Sequence, residues 1–235
     1  MVYFIINADD YWISDRFDEA IIDLIEKEYL YSISIIVRNI SQKSVDRILP
    51  YFSKISPGLH FEYKQKESKD DEYANIRNAL EIQYQKFFDI FGIYPTHLDK
   101  HNREKSENEI KVICDFAIEK KIPIRLYTRG KKFEIFEKNY KDKIRLTDFL
   151  YNIWAKNYWL KRIKSDIKDK TNSNQIYEVI CHPGFFDPEY DSELNETQMN
   201  KKRAEDYKKI VQLWALLKKK KLKIVSFEIM NKKRR

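Results

Sequence analysis

The feature that most constrains this chain is an apolar run near its N-terminus that ends in two adjacent carboxylates. Residues 2–10 read VYFIINADD, so five apolar residues lead directly into Asn7, Asp9 and Asp10. A continuous apolar run bounded by polar residues is typical of a strand that is buried on both faces of a parallel sheet. In parallel α/β folds, functional groups gather at the carboxyl ends of the strands, and this pair occupies such an end.

The carboxylate pair has more than one explanation. Two adjacent carboxylates repel each other, and either a divalent cation or a division into one base and one metal ligand would account for both. A third explanation gives Asp10 a purely structural role as the N-cap of the helix that follows. Ser14 and Asp15 are further candidates for that cap, and this segment alone leaves the alternatives open.

Strand-like and helix-like patterns alternate along the whole chain, without a linker or an internal repeat. This alternation predicts a parallel sheet, and 235 residues are enough to close it into a barrel. We therefore expect an α/β protein with a distorted, TIM-like (β/α) barrel, formed by a single domain that spans residues 1–235. After the N-terminal run, the strand-like segments are residues 32–37, 59–63 (entered through Pro57 and Gly58), 122–126, 143–146, 175–181 and 222–227.

Composition argues against several classes of protein. With only four glycines, the chain has neither a GxGxxG nor a Walker sequence for phosphate binding. Its formal charge of +8 comes from lysines that are mixed with acids throughout, and no aromatic-basic RNA motif is present, so we expect no nucleic-acid partner. Two cysteines, no signal-peptide pattern and no apolar run of about 20 residues predict a cytoplasmic protein without membrane contact. A homodimer is compatible with these features.

The four histidines all lie in or at the ends of predicted strands, the same kind of place as the carboxylate pair. Strand alternation puts His97, Asp99 and His101 on one face. His101 is nearest the end of that strand and is the better candidate for a metal ligand, whereas His97 lies deeper and suits a structural role. One carboxylate with two imidazoles, leaving positions open for water, is a plausible catalytic metal site.

Five short motifs occur in the order and approximate spacing of a known family. They are residues 7–10 (NADD), 58–60 (GLH), 95–101 (PTHLDKH), 124–125 (IR) and 182–184 (HPG). Together they resemble the YdjC-like carbohydrate deacetylases, a group that includes the chitooligosaccharide deacetylases. The resemblance spans nearly the whole chain and extends to Gln83, Phe87 and Arg203.

The resemblance implies a distorted (β/α) barrel that uses a divalent metal ion, magnesium or zinc, to remove acetyl groups from N-acetylated sugars. By position, Asp10, His60 and His101 match the metal ligands of the family. Asp9 resembles its general base, and His182 resembles the histidine that assists the leaving group. Metal-bound water would attack the acetamide, and the products would be acetate and a free amino sugar.

Three further residues are assigned to substrate binding. Arg125 matches a site arginine of the family that has a supporting role. Trp12 stands where the family usually has the glycine of Asp-Asp-Phe-Gly, and its indole would fill space beside the metal or stack on a sugar. Arg103 stands where the family usually has a second histidine, so it bears on substrate orientation.

Three rival functions remain. A related metal-dependent hydrolase could use the same ligands on a different amide or an ester. A sugar-binding protein without turnover would explain Trp12 and Arg103 as marks of an altered site. A nucleic-acid module would bind with a steep dependence on salt that persists after removal of the metal.

Overall fold

A computed structural model describes residues 2–64, 71–127, 136, 138–140, 142–154, 159–168, 174–188 and 196–232. The strands in these residues are β1 (Tyr3–Tyr11), β2 (Ser32–Ile35), β3 (Ser56–Phe61), β4 (Leu98–Lys100), β5 (Phe149–Asn152), β6 (Ile176–Cys181) and β7 (Lys223–Ile224). The helices are α1 (Asp15–Glu26), α2 (Gln42–Ile48), α3 (Glu72–Phe91), α4 (Glu107–Lys120), α5 (Trp159–Lys168), α6 (Glu196–Lys219) and α7 (Ile229–Lys232), with a 3-10 turn at Leu49–Tyr51.

The strands form one parallel sheet in the order β4-β3-β2-β1-β6-β5, and β7 pairs with the first residues of β1. Beyond β4 the chain continues the curl of the sheet. Leu98 forms a parallel bridge with Ile124, whose N–H donates to the carbonyl of Arg145 at 3.1 Å. The segments predicted as strands at 122–126 and 143–146 therefore extend the sheet beyond its edge strand β4, but they do not form regular strands. The predicted α/β fold with a distorted barrel is confirmed.

The first strand lies at the centre of the sheet, as its apolar sequence predicts. From Phe4 to Tyr11 every residue of β1 is buried, because β2 and β6 flank the strand and helices cover the sheet. Helix α1 buries Phe17, Ile21, Leu24 and Ile25 against this sheet. Burial of this apolar surface stabilises the packing of α1 on β1, and this packing fixes the position of the carboxyl end of β1.

Ser14 is the N-cap of α1, since its hydroxyl accepts a hydrogen bond from the backbone N–H of Arg16. The alternative in which Asp10 only caps this helix is wrong. Asp10 lies four residues before the cap, at the end of β1, and its side chain contacts other elements of the fold.

The third strand begins earlier than expected, because Pro57 and Gly58 belong to β3 and do not form a turn before it. They pair with Ile33 and Ser34 of β2. Gly58 is required here by packing: a Cβ atom at this position would lie 2.3 Å from the ring of His97. The two residues through which the strand was expected to be entered are therefore part of the strand itself.

Two other expectations need correction. Strand β5 was not predicted. The sequence pattern indicates a helix over residues 154–167, and α5 covers it from Trp159, with residues 155–158 outside the described part of the chain. The last strand has two residues instead of six, and Phe227 turns inward to stack on His97 with ring centroids 3.8 Å apart. Among the described residues, no helix combines the length and the apolar character needed to cross a bilayer.

Candidate metal centre

A bulge at the end of β1 explains how two neighbouring carboxylates face the same cavity. In a regular strand, Asp9 and Asp10 would point to opposite faces. The register with β2 shifts between Ala8 and Tyr11, and Asp10 adopts a left-handed conformation with φ of 66°. Bulges of this kind redirect side chains and are common beside active sites. Both carboxylates consequently line one cavity of about 400 Å³.

The three residues expected to bind a metal ion come together at this cavity. Oδ1 of Asp10 lies 3.2 Å from Nε2 of His60 and 3.0 Å from Nδ1 of His101. One ligand atom from each residue lies within 4.8 Å of the other two. They come from the carboxyl ends of β1 and β3 and from the residue that follows β4. A carboxylate oxygen and two imidazole nitrogens at this spacing suit a divalent cation such as zinc.

The orientation of His60 is fixed by a second carboxylate. Its Nδ1 lies 2.5 Å from Oδ1 of Asp99, which leaves Nε2 facing Asp10. A histidine ligand that is hydrogen-bonded to a carboxylate through its other nitrogen is a common device in metal sites, because it fixes the tautomer and increases basicity. Asp99 is in turn held by the hydroxyl of Ser34 at 2.6 Å.

His97 has the structural role that the sequence predicts. It is fully buried, and its Nε2 lies 3.2 Å from the hydroxyl of Ser34 while Nδ1 lies 2.9 Å from the hydroxyl of Thr96. Burial lowers the pKa of His97 to about 3, against the opposing charge of Asp99, so the ring is neutral. Its ring stacks on that of Phe227, which is also fully buried.

The second oxygen of Asp10 is held by a residue from the last long helix. Nη2 of Arg203 donates to Oδ2 of Asp10 at 2.7 Å, which leaves Oδ1 for the two histidines. Burial opposes ionisation of Asp10, but the hydrogen bonds from His101 and His60 and the charge of Arg203 outweigh it. They hold the pKa of Asp10 well below its ordinary value. Asp10 is therefore a carboxylate at any pH relevant to metal binding.

Behind the metal ligands, Arg125 joins three buried carboxylates. Its guanidinium contacts both oxygens of Asp9, at 2.6 and 2.9 Å, together with Asp99 at 3.0 Å and Glu178 at 2.6 Å. Burial disfavours the charge on Arg125, yet these acids raise its pKa well above the ordinary value. The amide of Asn7 donates a further hydrogen bond to Asp9 at 2.7 Å. Asp9 is thus held in one orientation from two sides.

The charge balance of this cluster favours a cation. Four buried carboxylates outnumber the two buried guanidiniums by two. Part of this excess is offset by protons: burial raises the pKa of Glu178 to about 7, and the charges of Asp99 and Asp9 raise the pKa of His60 to about 10 against its burial. A proton on His60 adds one positive charge to offset the excess of carboxylates, and a divalent ion bound at the same place would add two. The carboxylates are Asp9, Asp10, Asp99 and Glu178, and the guanidiniums are Arg125 and Arg203.

His182 lines the same cavity as the ligand histidines. Its Nε2 is 3.9 Å from Oδ2 of Asp9, and its backbone N–H donates to Asp206 at 3.0 Å. Nδ1 is buried and makes no hydrogen bond to any described residue, although Asp206 lies 4.0 Å away. Burial lowers the pKa of His182, while the charges of Asp10 and Asp9 act in the opposite direction.

The residues assigned to substrate binding fall in different places. Arg103 lines the cavity. Arg125 is almost fully buried behind Asp9 and is absent from the described lining, so direct contact with substrate stays a prediction for it. Trp12 packs against the core and is likewise absent from the lining in the part of the chain that the structure describes. Its φ of 88° lies in the left-handed region that favours glycine, which explains why a glycine suits this position.

Sequence reasoning gave no role to several residues of the site. Trp154 lines the cavity, with its ring centroid 5.0 Å from that of His182 in an edge-to-face arrangement. Tyr127 forms another part of the wall. Arg203 was noted only as part of a motif, because nothing local in a helix shows that its side chain reaches the first strand. The one sequence signal that could have indicated Tyr127 and Trp154 as cavity residues is that each is an aromatic residue in a segment that follows a predicted strand.

Comparison with known proteins decides the family. A family model described as YdjC-like protein matches residues 41–223. The chain belongs to the YdjC-like protein family. The matched region begins after β1, so it contains His60, His101 and His182 but not the carboxylate pair.

Curated relatives of this YdjC-like protein are named as deacetylases. A carbohydrate deacetylase of Clostridium beijerinckii is 25% identical over 206 residues, covering 78% of this chain and 82% of the relative. A chitooligosaccharide deacetylase of Citrobacter koseri is 23% identical over 219 residues, with the same coverage.

A solved structure has the same fold as this YdjC-like protein. It comes from Enterococcus faecalis V583 and is described as a cellobiose-phosphate cleavage protein. The TM-score is 0.75, the sequences are 18% identical, and the match covers 97% of this chain and 98% of that chain. At this identity the likeness shows the fold alone.

Proposed function

We propose that the protein is a metal-dependent carbohydrate deacetylase that hydrolyses the N-acetyl groups of amino sugars or short chitooligosaccharides. The observation that carries this proposal is the convergence of Asp10, His60 and His101 at a cavity that Asp9 and His182 also line. The names of the curated relatives point to the same class of reaction. Of magnesium and zinc, the two imidazole nitrogens favour zinc.

Asp10, His60 and His101 would hold the ion. When bound, a divalent cation supplies Lewis-acid activation of the attacking water and of the acetamide carbonyl. Asp9 would accept the proton of that water, since its side chain lines the cavity beside the ligands. Arg125 supports this role because its two hydrogen bonds hold the Asp9 carboxylate in place.

His182 would donate a proton to the departing amine through Nε2. This nitrogen lies 3.9 Å from Oδ2 of Asp9, on the same cavity. Burial favours the neutral ring, so His182 would first take up a proton from solvent, and the carboxylates of Asp10 and Asp9 would stabilise the imidazolium that then donates it. Asp9 would thus accept a proton from the attacking water, and His182 would donate one to the departing nitrogen of the same amide.

The cavity wall supports an N-acetylated sugar as the substrate. The aromatic rings of Tyr127 and Trp154 line it, and a sugar ring can stack on such faces. Arg103 adds a cationic group at the wall, which suits a polar or anionic substituent on the sugar. Because one structural neighbour is named for a phosphorylated disaccharide, a phosphorylated substrate belongs in any substrate panel.

An acetate-release assay tests the proposal. N-acetylglucosamine, its short oligomers and a phosphorylated N-acetylated disaccharide are incubated with the full chain, with and without a chelator. We expect acetate release that the chelator abolishes and that zinc or magnesium restores. His101→Ala should lose both metal and activity. His97→Ala, which removes a buried imidazole outside the ligand set, should retain the metal in its folded fraction.

A wider panel of acylated substrates and direct binding measurements on the same chain separate the rival functions. Release of a different acyl group, with no acetate from sugars, would indicate another metal-dependent amide or ester hydrolase. Metal and sugar binding without any release would indicate a binding protein without turnover. Salt-sensitive binding of RNA or DNA in the presence of chelator would indicate a nucleic-acid module. A cytoplasmic location, a single domain over residues 1–235 and a homodimer stay predictions.

A further inference from the structure

The geometry points to Asp18 as a positioning residue that holds the bulged turn carrying Asp10. This inference rests on the proposed metal site, because the function of the turn is to present Asp10 to a cation. Asp18 belongs to the first turn of α1, and it lines neither the cavity nor the ligand set among the described residues.

The turn that Asp18 contacts has an unfavourable backbone conformation. Asp10 and Trp12 both have positive φ angles, 66° and 88°, although neither is glycine. Each such residue costs on the order of 1–2 kcal/mol and persists only where the surroundings hold it. A turn with two of them relaxes readily unless other groups fix its peptide units.

Asp18 supplies one of these contacts from a buried position. Its Oδ1 accepts a hydrogen bond from the backbone N–H of Trp12 at 2.7 Å, which fixes that peptide unit. The carboxylate is fully buried, so water does not compete for this bond. The N–H of Trp12 would otherwise be left without an acceptor next to a metal ligand.

A second element fixes the orientation of Asp18 itself. The hydroxyl of Ser44, on α2, donates to Oδ2 of Asp18 at 2.9 Å. The carbonyl of Ser44 accepts a hydrogen bond from the hydroxyl of Tyr11 at 2.9 Å, and Tyr11 lies between Asp10 and Trp12 in the chain. The turn is thus tied to α1 through Asp18 and to α2 through Tyr11, and Ser44 joins the two contacts.

This arrangement predicts which chemistry at residue 18 is required. Asparagine has the same shape, its Oδ1 can accept from Trp12, and its amide can donate to the hydroxyl of Ser44. Leucine has a similar shape but accepts nothing. Hence Asp18→Asn should preserve the metal site, whereas Asp18→Leu should release the turn and weaken metal binding by about 10- to 100-fold, the usual effect of losing a group behind a metal ligand.

Zinc titration of the full chain tests the inference. The dissociation constant of Zn²⁺ is measured for wild type, Asp18→Asn and Asp18→Leu at a temperature where circular dichroism shows each to be folded. Asp23→Ala is the matched control, since Asp23 is a carboxylate of the same helix that pairs with Lys27 and Tyr207 away from the cavity. If Asp18→Leu does not fold, Asp18→Ala takes its place.

We expect at least a tenfold weaker affinity for Asp18→Leu, and values within about threefold of wild type for Asp18→Asn and Asp23→Ala. Wild-type affinity in Asp18→Leu overturns the inference, as does an equal loss in Asp18→Asn, because the charge and not the turn would then matter. Failure of wild type to bind Zn²⁺, or binding that His101→Ala leaves unchanged, instead contradicts the proposed metal site.

Discussion

The guanidinium of Arg125 contacts both oxygens of Asp9, with Nη1 2.6 Å from Oδ2 and Nη2 2.9 Å from Oδ1. A bidentate pair of this kind fixes the plane of the carboxylate as well as its position. Neither side chain is exposed by more than 1%. The two carboxylates at the end of β1 therefore have different contacts. Asp10 contacts the two histidines, and Asp9 lines the cavity while Arg125 fixes its orientation.

Asp9→Asn should remove catalysis while leaving the metal in place. The amide cannot accept the proton of the attacking water, so acetate release should fall by about 10²-fold or more. Metal content measured by atomic absorption should match wild type, because Asp10, His60 and His101 are unchanged. Asp46→Asn, at an exposed hydrogen-bonded position on α2, is the control. Normal acetate release from Asp9→Asn would show that the base is another residue.

Arg125→Met should destabilise the fold as well as the site. It would leave three buried carboxylates without their cation, and breaking a buried ion pair from one side costs about 3–5 kcal/mol. The measurement is urea unfolding monitored by tryptophan fluorescence. Arg77→Met is the matched control: Arg77 bridges two partly exposed glutamates, and pairs of that kind contribute less than about 1 kcal/mol. Equal losses in the two variants would contradict this account of Arg125.

Gly58→Ala should destabilise the protein through overpacking. The added Cβ would meet the ring of His97 at 2.3 Å, and that ring cannot move away because Phe227 stacks on its face. We expect a loss of about 1–3 kcal/mol in the free energy of unfolding. Gly92→Ala tests backbone strain alone, since Gly92 has a φ of 68° and nothing lies within 4 Å of its Cβ position. A fully stable Gly58→Ala protein would mean that His97 has room to shift.

Asp18→Asn should change how stability depends on pH. Burial raises the pKa of Asp18 to about 7, so the folded chain binds this proton more tightly than the unfolded chain. The wild type therefore loses stability as pH rises from about 4 to 7, whereas the amide does not titrate. At pH 8 the variant should be more stable by on the order of 3 kcal/mol, and the difference should shrink at pH 5.

Urea unfolding at pH 5 and pH 8, with chelator present, measures this difference. In Asp23→Asn the sign is opposite, because hydrogen bonds from Lys27 and Tyr207 lower the pKa of Asp23 against its burial. The stabilisation from Asp23 is present at both pH values, so its variant should be destabilised equally at each. A constant difference between wild type and Asp18→Asn would contradict the raised pKa.

Sequence reasoning succeeded where local pattern and burial agree. Residues 2–6 are apolar at every position because β1 is covered on both faces, so the strand character of this run is visible without knowledge of its neighbours. Ser14 was among the expected caps of α1 because capping depends on a contact two residues away. The three ligand candidates came together as expected, since carboxyl ends of parallel strands meet at one end of a barrel.

It failed where a distant contact decides the local structure. Pro57 and Gly58 were expected to precede the third strand, but they belong to it, and the ring of His97, far along the chain, occupies the space that Gly58 leaves. The bulge at Asp10 depends on the register with β2, which no local pattern encodes. The contact of Asp18 with Trp12 was missed for the same reason: an acid in the first turn of a helix is common, and its burial becomes visible only in the fold.

The bond between Arg203 and Asp10 joins residues that are 193 positions apart. During synthesis, the first strand leaves the ribosome long before the helix that carries its partner. The Oδ2 atom of Asp10 therefore gains its hydrogen bond from Arg203 only after nearly the whole chain has been synthesised. A product that terminates between His101 and Arg203 would carry the three ligands yet lack the cation that orients the first of them.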